Sequence, residues 1–410
     1  MVRDTSRENA GFATRAIHRS RIEEPSRPVS TPIYMTSTFS FENAAQAAAR
    51  FAGEEPGMIY SRLGNPTVMD LEERLAALEG AESCVATASG MAAISTGLLT
   101  VLKQGDHVVA DEALYGCTVS LLGERLARLG VTVTFTDLSD PLNLERAFRP
   151  TTRLVFFETP ANPTLKLIDI ETVSAYAHER GALVMVDNTF LSPLFQRPLA
   201  LGADLVVHSA TKYLGGHSDV IAGALLGPRA LIDEGRMTLK DYGGICEPMT
   251  AWLVTRGLMT LKVRMEAQEA SARAVARFLQ RHPAVSRVHY PGLMDFRQRA
   301  LARRQMTGAG ATLSFELEGG LEAGRAFIDA IRLFHRAVSL GGVESLACHP
   351  ASTTHSPVPR EQRLAASITD GLVRLSIGLE EVEDLVADLS RALDAAAAAA
   401  SPPQAVVVPV

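Results

Sequence analysis

Apolar side chains follow two different patterns along this chain. After Asn65-Pro66-Thr67, the residues Val68, Leu71, Leu75 and Leu78 are spaced three, four and three apart, one stripe of an amphipathic helix that Gly80 ends. Beyond it the pattern shortens to runs of a few apolar residues at Cys84–Ala88, His107–Ala110, Val131–Phe135, Leu154–Phe157, Leu183–Val186 and Leu205–Val207. Helical stretches such as Ile170–Arg180 lie between several of them. Such runs separated by helices predict βαβ units and a mostly parallel sheet covered by helices on both faces.

The expected fold class is therefore α/β, with a large sheet domain over 61–260. Residues 1–60, with Pro25, Pro28 and Pro32, read as an extended arm with short helical pieces. A long helical segment from Trp252 through Leu261, Val263 and Met265 to Arg281 is expected to link this domain to a smaller C-terminal α/β domain over 261–400. In that domain Ala311–Phe315 and Leu372–Ile377 read as strands, and Gly320–Ile331 and Glu381–Ala396 as helices. Residues 401–410 read as a flexible tail.

Composition narrows the function classes. The 410 residues are 47% apolar and 21% charged, a globular balance and not a disordered one. A net charge of −6 argues against nucleic acid as a partner. The start is arginine-rich (Arg3, Arg7, Arg15, Arg19, Arg21) but diluted by Asp4, Glu8, Glu23 and Glu24, which suits a solvated or subunit-contacting arm. The four cysteines, Cys84, Cys117, Cys246 and Cys348, are far apart and form no C-x-x-C pair, which speaks against a disulfide framework or a structural zinc site. No apolar region follows the first charged residues, and no run of about 18 apolar residues is available to span a bilayer. The expectation is a cytoplasmic protein with no membrane partner.

Three segments carry candidate chemistry. In His208-Ser209-Ala210-Thr211-Lys212 a lysine and two hydroxyls follow an apolar strand, at the sheet edge where ligands of open α/β sheets bind. Lys212 there suits a Schiff base with an aldehyde cofactor, and Ser209 and Thr211 suit donation to a phosphate. Taken alone, the segment reads better as a surface Thr-Lys pair. Asp187 ends the run Leu183–Val186 and places a carboxylate at the mouth of a buried strand, as a pyridinium nitrogen requires. Ser89-Gly90-Met91 leads from a strand into a helix whose first N–H groups are free for an anion, although Ser-Gly is also an ordinary cap. Lys212 and Asp187, in this order and context, together favour pyridoxal 5′-phosphate (PLP), with the Ser89-Gly90-Met91 turn as the candidate anion site.

These segments belong to a longer collinear set: Gly11-Phe12-Ala13-Thr14-Arg15-Ala16-Ile17-His18, Tyr60-Ser61-Arg62 with Asn65-Pro66-Thr67, Ala88-Ser89-Gly90-Met91, Leu114-Tyr115-Gly116-Cys117-Thr118, Val186-Asp187-Asn188-Thr189, Ser209-Ala210-Thr211-Lys212-Tyr213 and Gly371-Leu372-Val373-Arg374-Leu375-Ser376. From about residue 11 to 395 the chain resembles the Cys/Met-metabolism family of PLP enzymes, of fold type I, and within it the methionine γ-lyases. The resemblance implies that Lys212 holds PLP and shuttles protons and that Asp187 pairs the ring nitrogen. It implies that Gly90, Met91, Ser209 and Thr211 bind the phosphate, joined by Tyr60 and Arg62 from a neighbouring subunit of a homotetramer built as a dimer of dimers. Tyr115 would stack on the cofactor and act as an acid/base, with Arg62 the candidate cation favouring its phenolate. Arg374 would grip the α-carboxylate of a sulfur amino acid, a task suited to a planar guanidinium, and Ser339 would position the lysine or that carboxylate.

Within the family, the resemblance to methionine γ-lyases rests on Cys117, on Lys240-Asp241 and on Val338, where the cystathionine γ-lyases carry an acidic residue. It implies γ-elimination of L-methionine to 2-oxobutanoate, methanethiol and ammonia. Cystathionine γ-lyase or cystathionine γ-synthase activity is the alternative, and a PLP-fold protein that binds without turnover would need no substrate clamp such as Arg374. Cys117 has a plainer reading as a small hydrophobe, and Lys240-Asp241 as a solvated loop. Residues 242–248 (Tyr242-Gly243-Gly244-Ile245-Cys246-Glu247-Pro248) and Gly64 depart from the family pattern, and the two glycines predict a permissive loop. His18, His107, His217, His335, His349 and His355 lack metal-ligand spacing and are expected to be mostly structural.

Overall fold

The computed structural model describes residues 10–18, 27–356 and 358–400. The expected tail over 401–410, and Arg3, Arg7, Arg19 and Arg21 of the arginine-rich start, lie outside them. The chain divides into two compact units. The first takes up the chain to Thr159, then Ile168–Val263 and Gln305–Thr307; the second comprises Pro160–Leu167, Arg264–Arg304 and the chain from Gly308.

The first unit is built on seven strands: β1 Ser83–Thr87, β2 His107–Asp111, β3 Thr132–Thr136, β4 Thr152–Glu158, β5 Leu183–Asp187, β6 Leu205–His208 and β7 Gly223–Gly227. Their order is β1-β7-β6-β5-β4-β2-β3. The β3-β2, β2-β4, β4-β5 and β5-β6 pairs are parallel, whereas β7 runs antiparallel to both β1 and β6. β1, β4, β5 and β6 thus share one direction and present their carboxyl ends along one edge. The sequence reading missed β7. Gly223-Ala224-Leu225-Leu226-Gly227 lacks β-branched residues and is bounded by glycines, so nothing local marks it as a strand.

Strict alternation explains why the sheet is covered twice. Val108, Ala110, Leu154, Phe156 and Met185 join one buried cluster, and Val109, Val155, Phe157, Val184 and Val186 the other. Strands buried on both faces are the reason the runs are continuously apolar.

The helices follow local rules at their ends. We label α1 Phe12–His18, α2 Ala44–Ala52, α3 Pro66–Glu79, α4 Gly90–Val101 and α5 Gly116–Ser120. In α3, Asn65 caps the start by accepting from Thr67 N at 3.0 Å, Pro66 opens the first turn, and Gly80 at φ 81° ends it. Arg74 of α3 pairs with Asp70 at 3.0 Å, and its Nη1 donates to the carbonyls of Ala16 and Ile17, so α1 is seated on α3 of its own chain.

The single long helix expected from Trp252 to Arg281 is two helices, Pro248–Leu258 and Leu261–Gln280. Val254, Leu258, Leu261 and Met265 are all buried, so the apolar period runs across the break and hides it.

The second unit carries β8 Val285–His289, β9 Thr312–Leu317, β10 His335–Arg336, β11 Leu346–Cys348 and β12 Leu372–Ser376, in the order β10-β11-β12-β9-β8. All these pairs except β10-β11 are antiparallel. Residues 160–167 are held within this unit by Gln298, which accepts from Leu167 N at 2.8 Å, and by Ser314, which donates to the Pro163 carbonyl at 2.6 Å.

A Cβ at Gly223 would lie 2.2 Å from the Ser89 carbonyl oxygen and 2.6 Å from Thr87 Oγ1. Gly223→Ala should therefore destabilise the β1-β7 edge by about 1–3 kcal/mol, the usual cost of overpacking. Thermal unfolding of the apoprotein checks this as a lower midpoint.

Candidate active site

At the carboxyl edge of the first sheet the chain brings two loops into direct contact. Ser89 caps α4 by accepting from Ala92 N at 3.1 Å; the N–H groups of a first helical turn have no acceptor within the helix. Gly90 lies so close to the loop after β6 that a Cβ would sit 2.8 Å from Ser209 Cβ and 3.0 Å from Ser209 Cα. Glycine is required there because of this approach. Ser209 is fixed in turn by donating its N–H to Thr189 Oγ1 at 2.8 Å.

Lys212 follows in a turn, half-buried, its N–H donating to the Ser209 carbonyl at 3.1 Å and its carbonyl accepting from Gly216 N at 2.7 Å. Thr211 Oγ1 donates to the Ala222 carbonyl at 3.2 Å and accepts from Ala222 N at 3.1 Å, so this hydroxyl braces the lysine turn against the start of β7. Met91, in the first turn of α4, receives a weak hydrogen bond at Sδ from Thr118 Oγ1 at 3.8 Å.

Asp187 ends β5, directly opposite Glu158 of β4 and Val207 of β6. Thr189 N donates to Asp187 Oδ1 at 2.9 Å. Burial pushes this carboxyl up; the Thr189 hydrogen bonds and the charge of His208 pull it back part of the way. Glu158 is pushed well above the carboxylate range, first by burial and then by the facing charge of Asp187. It accepts Tyr115 N at 2.8 Å and so sets the start of α5.

Glu158 was not singled out from the sequence. Its signal was the same as that of Asp187: an acidic residue closing an apolar run.

Tyr115 is half-exposed, and Cys117, two residues on, is an exposed free thiol. A hydrogen bond with Cys117, burial and Glu158 raise the phenol above its usual pKa of 10. Arg62, expected to favour the phenolate, donates from Nη1 to its own chain's Lys240 carbonyl at 2.7 Å, with its guanidinium 5.7 Å from the Tyr60 ring centre. Within one chain Tyr115 is therefore a phenol at neutral pH and a donor.

Lys240 and Asp241 pair at 3.4 Å near the end of the helix Arg229–Tyr242, which Gly243 stops at φ 86°. The divergent segment beyond is anchored: Gly244 accepts from Ala88 N at 2.8 Å, Ile245 bridges to Thr87, and Cys246 is buried with its thiol pushed up to about 12. The glycine freedom expected of this loop is used to stop a helix and reach β1.

In the second unit Arg374 projects from β12, 6% exposed. Nη1 donates to Asn162 Oδ1 at 2.9 Å and Nη2 to the carbonyl of Ser339, while Nε is buried without a partner among the described residues. A buried guanidinium with an unsatisfied N–H fits a carboxylate ligand. Ser339 adopts φ 107°, a strained value for a residue with a side chain, and Val338 beside it is exposed. Asn162 carried no sequence signal beyond preceding Pro163.

Of the histidines, His107 is held between Thr152 at 2.8 Å and Thr134 at 2.9 Å, and burial with nearby Arg149 brings it down to about 4, so it is neutral and structural.

The first-unit residues fit a phosphorylated aldehyde on a pyridine ring. A helix N-terminus packed against Ser209 offers a phosphate cradle, Lys212 an amine, and Asp187 a carboxyl at a strand end. Comparison with known proteins agrees. Residues 13–394 match the Cys/Met metabolism PLP-dependent enzyme family. The L-methionine γ-lyase of Treponema denticola is 50% identical over 391 residues, covering 94% of this chain and 98% of that protein. The O-succinylhomoserine sulfhydrylase of Pseudomonas aeruginosa is 44% identical, covering 96% and 97%. Among solved structures, cystathionine γ-synthase from Xanthomonas oryzae pv. oryzae, in complex with aminoacrylate and cysteine, is similar with a TM-score of 0.90 and 42% identity, covering 95% and 99%.

If the close approach of Gly90 to Ser209 forms the phosphate cradle, Gly90→Ala should weaken PLP binding by the apoprotein at least about tenfold, the loss of roughly one charge-assisted hydrogen bond. Titration of the apoprotein with PLP, followed by visible absorbance, checks this. An unchanged dissociation constant would place the phosphate elsewhere.

Proposed function

The chain belongs to the Cys/Met metabolism family of PLP-dependent enzymes, and from that premise we propose that it is a carbon–sulfur lyase converting L-methionine to 2-oxobutanoate, methanethiol and ammonia. The observation that carries the reading is Cys117, an exposed thiol hydrogen-bonded to Tyr115. Its position is the one at which the sequence resembles methionine γ-lyases. The 50% identity to the Treponema denticola enzyme supports the same choice. The rival reading, action on cystathionine, draws on the 42% identity to the γ-synthase structure.

PLP bound here supplies an electron sink for the charge left when protons leave Cα and Cβ of the substrate. The chain's residues do the rest. Lys212 is assigned cofactor attachment and, once released as a neutral amine, the transfer of those protons. Tyr115, protonated at neutral pH, is assigned to the departing sulfur as a donor. Asp187 is assigned to the ring nitrogen and Arg374 to the α-carboxylate, with Ser339 and Asn162 holding the guanidinium.

We further assign the working protein to a homotetramer whose sites take Tyr60 and Arg62 from a neighbouring chain. Exposed apolar side chains support this: Met35 and Phe51 in the N-terminal region and Tyr242 at 74% exposure are large surfaces to leave in water.

Specificity is read as the ratio of kcat/KM values. Methionine should exceed cystathionine, and Cys117→Ala should narrow that preference while the absorbance of the lysine-bound cofactor stays in place. A wild-type enzyme that prefers cystathionine would overturn the methionine reading and leave the family assignment intact.

Shared sites are tested by complementation. Arg62→Ala and Lys212→Ala should each be nearly inactive, and Lys212→Ala should also lose the visible absorbance. Dissociated and reassociated together, about half of the dimers are mixed, each with one intact site of two, so about a quarter of wild-type activity should return. If mixed dimers form without recovery, Arg62 serves its own chain, consistent with its bond to the Lys240 carbonyl.

A further inference from the structure

Arg374 of β12 is held by oxygens from two separate segments, and each segment is held in turn by a buried serine that the assigned chemistry does not use. Side chains two apart on a strand share a face, and so do residues directly opposite on paired strands. Ser376 lies two residues beyond Arg374 on β12, and Ser314 of β9 is the register partner of Arg374. Both serines are at most 1% exposed. Arg374, Ser376 and Ser314 thus stand side by side on one face of the second sheet.

Their hydroxyls reach the two segments that grip the guanidinium. Ser314 donates to the Pro163 carbonyl at 2.6 Å, and Asn162, one residue earlier, accepts from Arg374 Nη1 at 2.9 Å. Ser376 Oγ accepts from Gly341 N at 2.9 Å, and Ser339, two residues earlier, accepts at its carbonyl from Arg374 Nη2. A buried hydroxyl has to find a partner somewhere. Here both partners are backbone groups within two residues of an oxygen that binds the same arginine.

The second segment needs such a hold. Gly341 at φ 79° adopts what a glycine allows, but Ser339 at φ 107° is strained, and strain persists only where the surroundings over-determine it. Gln268, from the helix Leu261–Gln280, adds a further restraint by donating Nε2 to the Gly342 carbonyl at 2.7 Å. With Nη1 tied to one segment and Nη2 to the other, the guanidinium plane is fixed, and Nε is buried without a partner among the described residues. A planar fork recognises a carboxylate only in the matching plane, so whatever sets the plane sets the affinity.

We propose that Ser314 and Ser376 are positioning residues that orient Arg374 for the substrate's α-carboxylate, each by holding the segment that supplies one of its two oxygen partners. The proposal rests on the assignment of Arg374 to that carboxylate and on no choice between sulfur amino acids.

The test compares two ligands of the PLP-loaded enzyme. L-Norleucine keeps the amine, the carboxylate and a chain of methionine's length but has no sulfur to expel; pentylamine is the same molecule without the carboxylate. Dissociation constants are read from the change in visible absorbance of the bound cofactor. In the wild type norleucine should bind more tightly than pentylamine. In Ser314→Ala and in Ser376→Ala norleucine should bind about tenfold more weakly, the worth of a hydrogen bond to a charged group, while pentylamine stays within about twofold of the wild type. Where one alanine variant yields no folded protein the other carries the test, because the two serines hold different segments.

If both ligands weaken together, or if neither does whatever the thermal midpoint, the serines serve only the fold and the proposal is overturned. An Arg374→Ala enzyme that keeps the wild-type preference for norleucine would instead overturn the carboxylate assignment on which the proposal rests.

Discussion

Two backbone segments far apart in sequence must meet without a side chain between them for the proposed phosphate cradle to form. The start of α4 and the loop after β6 touch at Gly90 and Ser209, where a Cβ would stand 2.8 Å from its neighbour. Gly223 repeats the condition one strand away, against the Ser89 carbonyl. A phosphate dianion is held best by N–H groups already fixed in space, because little ordering is left to be done on binding. The double cover of the sheet supplies that rigidity: clusters on both faces fix the strand ends from which these loops spring.

Charge is organised around the same edge. Asp187 and Glu158 close neighbouring strands in register, an arrangement that cannot carry two negative charges at low cost. Burial and the facing charge of Asp187 push Glu158 well up, and its Oε1 accepts Tyr115 N. Asp187 has Thr189 and the charge of His208 to help it ionise. Similar residue types at similar strand positions are thus both pushed up but to different extents, and the difference comes from their neighbours.

Arg374 obeys the same logic in the second unit. Its guanidinium is buried, held by Asn162 and by the backbone of Ser339, and keeps Nε unsatisfied. A free N–H in a buried position is costly to the apoprotein and favourable to a carboxylate that arrives with a lone pair. The strained φ of Ser339, 107°, lies where its carbonyl reaches that guanidinium.

Much of this was legible in the residues alone. The stripe Val68, Leu71, Leu75, Leu78 and the stop at Gly80 predicted α3, and six apolar runs predicted six of the seven strands of the first sheet, because period and burial act over a few residues. Lys212 and Asp187 could be picked out because a polar residue closing a buried run is a local signal. What the chain did not announce depends on partners distant in sequence. β7 is a strand because β1 and β6 flank it, and the break at Met259 is invisible to an apolar period that continues through it. Asn162 became recognisable only through what it touches, 212 residues away; Glu158 closes an apolar run as Asp187 does, but its bond to Tyr115 N, 43 residues away, is what marks its role. The sequence by itself determined which segments form elements and which residue types end them. The tertiary structure decided which of those ends face one another, and hence how far each carboxyl is shifted, because desolvation and charge act through space and are indifferent to chain order.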